Sequence, residues 1–158
     1  MLISFDLDDT LICDRELVPK ERNKVPFFLK PWLNEPLRLG TCKLMQQLNQ
    51  YGCGILIITS SYRSPWLVRL WLTCYGISVV NVINQNIYRD YLKRHSINLY
   101  PSKNPKLFGS SLHIDDSEGV RLEGEKYGFE VIVISPTDRN WTEKVIEAVR
   151  NKLKAGKI

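Results

Sequence analysis

Three short apolar runs in this sequence each end in a group of polar side chains. The runs cover residues 2–5, 54–58 and 111–114, and they are followed by Asp-Leu-Asp-Asp-Thr (6–10), Thr-Ser-Ser (59–61) and Asp-Asp-Ser (115–117). Stretches with helical spacing separate the runs, which predicts strands that are joined by helical crossovers and run parallel to one another. Ligands of such sheets bind beyond the carboxyl ends of the strands. The three polar groups therefore predict one functional site.

The same alternation of strand and helix continues along the chain. We predict strands at 2–6, 54–59, 79–83, 112–115 and 130–134, each followed by a helix, the first of which covers 37–51. This order is typical of a doubly wound α/β fold, with a parallel sheet of about five strands and helices on both faces. The length of 158 residues suits a single domain, 1–158.

The polar groups resemble, in order, the motifs of the haloacid-dehalogenase-like (HAD) superfamily of phosphohydrolases. Phe-Asp-Leu-Asp-Asp-Thr-Leu (5–11) matches its first motif DxDxT, Ile-Ile-Thr (57–59) its second, and Ile-Asp-Asp-Ser (114–117) its fourth. The third motif, a lysine before the fourth strand, has two candidates in Lys103 and Lys106. We favour Lys103, because it opens a Lys-x-Pro turn that can hold the ammonium toward the strand ends. The resemblance implies a Rossmann-like, HAD-like fold.

The segment 13–36 bears on whether the fold carries a cap. It contains four prolines, at 19, 26, 31 and 36, which exclude one long helix. The family places a flap or a cap domain here, and about two dozen residues suffice for a flap but not for a folded cap. We therefore expect a short flap, no large cap, and similarity to the capless, magnesium-dependent phosphatases. An open site of this kind admits bulky phosphorylated substrates.

The resemblance also implies a role for each polar residue. Asp6 would be the nucleophile that forms an aspartyl-phosphate, and Asp8 the general acid and base. Thr59 and Lys103 would bind the phosphoryl group, with Ser60 and Arg63 as further substrate contacts.

A magnesium ion would neutralise the negative charges, since Mg²⁺ prefers a few hard oxygen ligands. The expected ligands are Asp6, Asp115 and the backbone carbonyl of Asp8. Asp116 is either a further ligand or the partner that orients the lysine.

Other residues near the motifs have structural interpretations. Asp9 and Thr10 are expected to fix the turn after the first strand, with Thr10 accepting backbone N–H bonds. His113 is expected to be a core histidine with satisfied hydrogen bonds. Trp32 and Trp66 can either stack on a substrate ring beside an open site or, more commonly, pack in a core or interface.

Two alternatives to a phosphatase use the same residues. A phosphotransferase or mutase shares the site, and a non-catalytic phosphate-binding module shares the fold. A signalling receiver domain also combines acids, a hydroxyl and a lysine, but it would place its paired acids after the first strand rather than the fourth.

Composition bears on the binding partners of the protein and on its cellular compartment. The formal charge of +5 and pI near 9.0 suit anionic partners, but no motif for nucleic-acid recognition accompanies them, so nucleic acid is only weakly supported. The four cysteines lack metal-binding spacing, which predicts reduced thiols in the cytoplasm. The sequence has no apolar run of membrane-spanning length and starts with the first strand, so we expect neither a membrane anchor nor a signal peptide. No feature of the sequence specifies an oligomeric state.

Overall fold

A parallel five-stranded sheet forms the centre of the molecule. A computed structural model describes residues 1–98 and 100–156. The sheet order is β3-β2-β1-β4-β5, and all of its pairings are parallel. The strands are β1 (Leu2–Phe5), β2 (Gly54–Ile58), β3 (Asn81–Ile83), β4 (Leu112–Asp115) and β5 (Val131–Val133). The predicted doubly wound α/β architecture is confirmed, although most strands are one or two residues shorter than predicted.

Within the described residues, five α-helices connect and follow the strands. They are α1 (Thr41–Gln50), α2 (Pro65–Cys74), α3 (Gln85–Arg94), α4 (Glu118–Tyr127) and α5 (Trp141–Ala155). Alternate residues of β2 show that both sheet faces are covered: Ile55 and Ile57 pack in the core formed with α1, α2 and α5, whereas Leu56 and Ile58 pack with α3. Among the described residues, no helix is both long and apolar enough to cross a membrane.

The central position of β1 brings the three polar groups together. Ile3 is paired with Ile55 of β2 on one side and with Leu112 of β4 on the other. Pairing continues past the strand end, where the N–H of Asp6 donates to the carbonyl of Ile114 over 2.9 Å. The residues that follow β1, β2 and β4 therefore meet at one edge of the sheet, as predicted.

Helix α1 begins four residues later than predicted. Leu37 and Arg38 form isolated bridges with Ile12 and Lys20 instead of a first helical turn. Gly40 then ends this extended stretch with a φ of +92°, and a Cβ at this position would lie 2.9 Å from the Cγ2 of Thr142. The pairing of two distant extended segments thus overrides the helical periodicity of 37–40.

The segment 13–36 folds back over the core without a long helix. One 3₁₀ turn (Phe27–Leu29) interrupts an otherwise irregular path. Cys13, Val18, Val25 and Leu33 are buried and fix the segment to the core.

Arg38 holds three parts of the chain together although its side chain is almost completely buried. Its guanidinium donates to the carbonyls of Thr10 (3.4 Å), Ser135 (2.8 Å) and Asp138 (2.8 Å), and lies 4.7 Å from the ring centre of Trp141. A buried charge remains stable when its donors are satisfied in this way. Arg38 therefore links the turn after β1 to the loop that precedes α5.

We expect Arg38→Met to lower the free energy of unfolding by about 2–4 kcal/mol, because three carbonyls lose their donor while the side-chain volume is largely kept. Urea unfolding followed by circular dichroism measures the change. Arg22→Met, at an exposed position, is the matched control and should alter stability by less than about 0.5 kcal/mol. Equal stability of the two variants would contradict the linking role.

Candidate active site

A tight turn after β1 directs two acids toward the same side. The carbonyl of Leu7 accepts the N–H groups of Thr10, Leu11 and Ile12 at 2.8–3.3 Å, while the Leu7 side chain is buried. Asp9 adopts a φ of +55°, a conformation that Asp tolerates better than most residues. This turn leaves Asp6 and Asp8 on the opposite side from the core, where both line a cleft.

The cleft has a volume of about 500 Å³. Seven of the eight predicted site residues line it: Asp6, Asp8, Thr59, Ser60, Lys103, Asp115 and Asp116. Arg63 does not line the cleft, but it reaches Asp8 from outside. Predicted site residues as far apart in the sequence as Asp6 and Asp116 thus line one cavity at the carboxyl edge of the sheet.

The two candidate lysines have different surroundings. The ammonium of Lys103 is buried, lying 2.9 Å from Oδ1 of Asp6 and donating a 2.8 Å hydrogen bond to Oδ2 of Asp115. Lys106 is exposed in the 3₁₀ turn Pro105–Phe108, where its ammonium lies 3.4 Å from the carbonyl of Gly128. The structure therefore places Lys103, and not Lys106, among the acids.

The acids of the cleft carry more negative charge than Lys103 can balance. Carboxylate oxygens of Asp6, Asp115 and Asp116 lie within 4.8 Å of one another. When ionised, these three carboxylates exceed the one ammonium by two charges. Burial raises the pKa of Asp6, with Lys103 opposing the effect, and burial together with Asp115 raises the pKa of Asp116.

This donor set fits a divalent cation. Oδ1 of Asp6 is buried, and its near neighbour among the described residues is the ammonium of Lys103 at 2.9 Å, which leaves the oxygen free to bind a cation. Hard carboxylate oxygens are the ligands that Mg²⁺ prefers. The side chain of Asp8 lies outside the cluster of three acids. Among the contacts of the described residues, Lys103 pairs with Asp6 and Asp115 rather than with Asp116.

His113 connects the site to a buried chain of hydrogen bonds. Its Nε2 lies 3.0 Å from Oδ2 of Asp115, and its Nδ1 lies 2.8 Å from Oγ of Ser4, which in turn contacts Oγ of Ser110 at 2.8 Å. Because an ionised carboxylate only accepts, Nε2 carries the proton that is donated to Asp115. The expected core position of His113 is confirmed, but its contact with Asp115 was missed.

Asp115 is consequently held from three directions. His113 and Lys103 donate to one carboxylate oxygen, and the N–H of Ser117 donates to the other over 2.9 Å. Burial alone would raise the pKa of Asp115, but the hydrogen bond from His113 and the charge of Lys103 lower it well below its usual value. The sequence signal for this contact was the spacing of two between His113 and Asp115, which places both on the same face of a strand.

Asp8 is bound to Arg63, one of the predicted substrate contacts, through an ion pair that the sequence did not predict. Arg63 donates to Asp8 over 2.8 Å and to Glu35 over 3.1 and 3.2 Å. The Asp8 side chain remains 52 % exposed. Arg63 therefore joins the end of the segment 13–36 to the predicted acid/base residue.

The hydroxyl groups of Thr59 and Thr10 are both buried, but they differ in their hydrogen bonds. The buried Oγ1 of Thr59 accepts the N–H of Ser61 over 3.1 Å and Ser60 is exposed. The prediction that Thr10 accepts backbone N–H bonds is wrong: its Oγ1 is buried without a partner among the described residues, because the carbonyl of Leu7 takes the turn's N–H groups. Trp32 and Trp66 do not pack in the core, since each is 67 % exposed.

Comparison with known proteins supports the fold. Neither a family model nor a curated protein matches this sequence. The HAD domain of effector protein Lem4 from Legionella pneumophila is 15% identical, with a TM-score of 0.54 over 95% of this chain and 94% of that one. A predicted HAD-like family hydrolase from Porphyromonas gingivalis is 12% identical, with a TM-score of 0.52 over 94% and 97%.

A third similar structure is larger. A chain of the Pnkp1/Rnl/Hen1 RNA repair complex is 14% identical, with a TM-score of 0.51 over 84% of this chain and 42% of that one. At such identities the comparisons show the fold. The chain has the HAD-like α/β fold, which confirms at that level the resemblance of the sequence motifs.

We expect Lys103→Met to lower the free energy of unfolding by about 3–5 kcal/mol, because two buried carboxylates lose the ammonium that pairs with both of them. Lys106→Met is the matched control and should cost less than about 1 kcal/mol. Urea unfolding in the presence of a chelator makes the comparison, so that no metal ion replaces the lost charge. A smaller effect at position 103 than at position 106 would contradict the assignment.

Proposed function

We propose that the protein is a magnesium-dependent phosphatase that hydrolyses a phosphomonoester through an aspartyl-phosphate on Asp6. The observation that carries this proposal is the arrangement at the end of β1. Asp6 lies beside a buried lysine and two further acids, and an exposed acid, Asp8, follows two residues later. Phosphoryl transfer needs a nucleophile, positive charge on the phosphoryl oxygens and a proton donor for the leaving oxygen, and this arrangement can supply all three.

In the first step, a carboxylate oxygen of Asp6 forms a bond to phosphorus while the ester P–O bond breaks. Asp8 gives its proton to the departing alcohol oxygen. In the second step, Asp8 takes a proton from water, and the water oxygen bonds to phosphorus as the bond to Asp6 breaks. Inorganic phosphate leaves, and both acids return to their starting states.

Asp6, Asp115 and Asp116, together with the backbone carbonyl of Asp8, would hold the magnesium ion. A bound dication would neutralise the repulsion between the Asp6 carboxylate and an anionic phosphate. We favour Asp116 as a metal ligand over a partner of the lysine, because Lys103 pairs with the other two acids. His113 would keep Asp115 ionised and correctly oriented for this role.

Thr59, Ser60 and Lys103 would bind the phosphoryl oxygens through hydroxyl and ammonium donors. Arg63 would contact the substrate from the rim of the cleft while it remains bonded to Asp8 and Glu35. The single hydrogen bond from Nη1 would orient the Asp8 carboxylate, because Nε and Nη2 hold the guanidinium on Glu35.

Exposure of Asp8 favours hydrolysis over transfer to a second substrate. Water can reach this side chain directly, because more than half of it is accessible.

We further propose that residues 1–158 form a single domain with a flap at 13–36 and that its open cleft admits bulky phosphorylated substrates. Nucleic-acid ends remain a weaker candidate, for which the RNA repair complex is a lead at the level of fold alone.

The four cysteines, all free thiols, suit a reducing compartment. We therefore propose a cytoplasmic location.

Hydrolysis of p-nitrophenyl phosphate with Mg²⁺ tests the catalytic roles. Asp6→Asn should lower kcat by at least about 1,000-fold because the nucleophile is lost, and Asp8→Asn by about 100- to 10,000-fold because proton transfer is lost. Asp14→Asn, which removes an exposed acid of the flap, is the control and should retain wild-type activity. Activity of Asp6→Asn equal to that of the control would refute the mechanism.

Magnesium binding can be tested without turnover. Isothermal titration calorimetry of the wild type with Mg²⁺ should show one site, and Asp116→Asn should weaken it at least about tenfold if Asp116 is a ligand. Asp90→Asn, at an exposed position on α3, should bind Mg²⁺ as the wild type does. Unchanged affinity in Asp116→Asn would remove Asp116 from the ligand set.

A further inference from the structure

A small apolar pocket lies between the end of the flap and helix α2. Its volume is about 140 Å³. Glu35 and Arg63 lie at this pocket. Its apolar lining consists of six residues: Ile12, Trp32, Leu33, Leu67, Val68 and Trp71. A cavity of about 150 Å³ with apolar walls is large enough to hold a benzene ring. The pocket therefore has the size and chemistry for one aromatic ring or a similar apolar group.

Arg63 links this pocket to the neighbouring candidate active site. It lines the pocket, and its Nη1 lies 2.8 Å from the carboxylate of Asp8, which lines the cleft. In the mechanism proposed above, Asp8 protonates the leaving oxygen of the substrate. The group attached to that oxygen would thus leave the cleft at Asp8, on the side where the apolar pocket begins.

The pocket is held in a fixed shape. The indole N–H of Trp71 donates to the backbone carbonyl of Glu35 over 3.1 Å, and the Glu35 carboxylate accepts from Arg63. The amide of Asn84 donates to the carbonyl of Arg63 over 3.1 Å. A site that is already ordered costs little conformational entropy when a ligand enters.

The pocket has a buried floor and one exposed wall. Leu33, Val68 and Trp71 are almost fully buried, whereas Trp32 is 67 % exposed. An apolar ring that enters the pocket would cover part of the Trp32 indole and remove apolar surface from water. At the entrance, the two carboxylates of Asp8 and Glu35 exceed the single charge of Arg63, so a neutral group is favoured over a second anionic one.

We propose that this pocket is a leaving-group subsite and that the substrate carries a neutral aromatic ring next to its phosphate ester. The proposal rests on the proposed phosphatase function and adds the chemical class of the substrate. The aromatic ring of the substrate would fill the pocket, because the pocket lies next to the site of the leaving oxygen and has the volume of one ring.

The first test compares phenyl phosphate with glycerol 2-phosphate, which has no ring. Trp32→Ala should lower kcat/KM for phenyl phosphate about tenfold and leave that for glycerol 2-phosphate unchanged, because only the ring contacts the lost indole. Trp32→Phe keeps an aromatic wall and should retain most of the preference. Comparing each variant with the wild type on the same substrate removes the difference in intrinsic reactivity between the two esters.

Trp66→Ala is the matched control. Trp66 has the same exposed fraction as Trp32 and lies on α2, but it does not line the pocket. This variant should leave both substrates unaffected. The proposal is overturned if Trp32→Ala lowers kcat/KM equally for both substrates, if it lowers neither, or if Trp66→Ala reproduces its effect.

The second test separates the subsite from the proposed catalysis. Calorimetry should show that the wild type with Mg²⁺ binds phenylphosphonate at least about fivefold more tightly than methylphosphonate, and that Trp32→Ala removes this difference. Ring-dependent binding without any hydrolysis would support the subsite and reject the phosphatase. Hydrolysis with equal binding of the two phosphonates would reject the subsite and leave the phosphatase in place.

Discussion

The buried ammonium of Lys103, held between Asp6 and Asp115, is the interaction on which the site depends. Burying a carboxylate is costly, and this cation lowers the cost for both acids at the ends of their strands. One ammonium does not balance the three nearby acids, and the remaining negative charge suits a divalent cation. His113 contributes from behind the site, where its N–H holds the Asp115 carboxylate in one orientation. The same charges thus stabilise the edge of the sheet and create the cation site that the proposed chemistry requires.

The irregular segment between β1 and α1 approaches the cleft through Arg63, which binds both Glu35 and Asp8. Near the end of this segment, Arg38 binds the loop before α5, and Glu35 binds Arg63 and Trp71. Both contacts place the segment beside Asp8 without closing over it. The result is an exposed acid next to an apolar pocket, an arrangement that relates the path of the flap to the kind of substrate we propose.

The sequence predicted most of the sheet and most of the cleft, but it predicted local structure better than contacts. The apolar runs and the alternation of strand and helix identified all five strands, and the acids after β1 and β4 meet as expected. The start of α1 was wrong because Leu37 and Arg38 pair with residues far away in the chain, a contact that no local periodicity reports. The inferred turn role of Thr10 also failed, since backbone groups already satisfy one another there.

Local sequence patterns were enough to predict the class of fold and the edge of the sheet at which the acids lie. Alternation of strand and helix forces parallel strands, and parallel strands place their carboxyl ends on one side. The folded chain was needed to show that Lys103 rather than Lys106 contacts the acids, that His113 supports Asp115, and that Arg63 joins Asp8 to Glu35. The physical reason is that these contacts depend on the path of irregular segments. Such segments have no repeating pattern from which the direction of a side chain can be read.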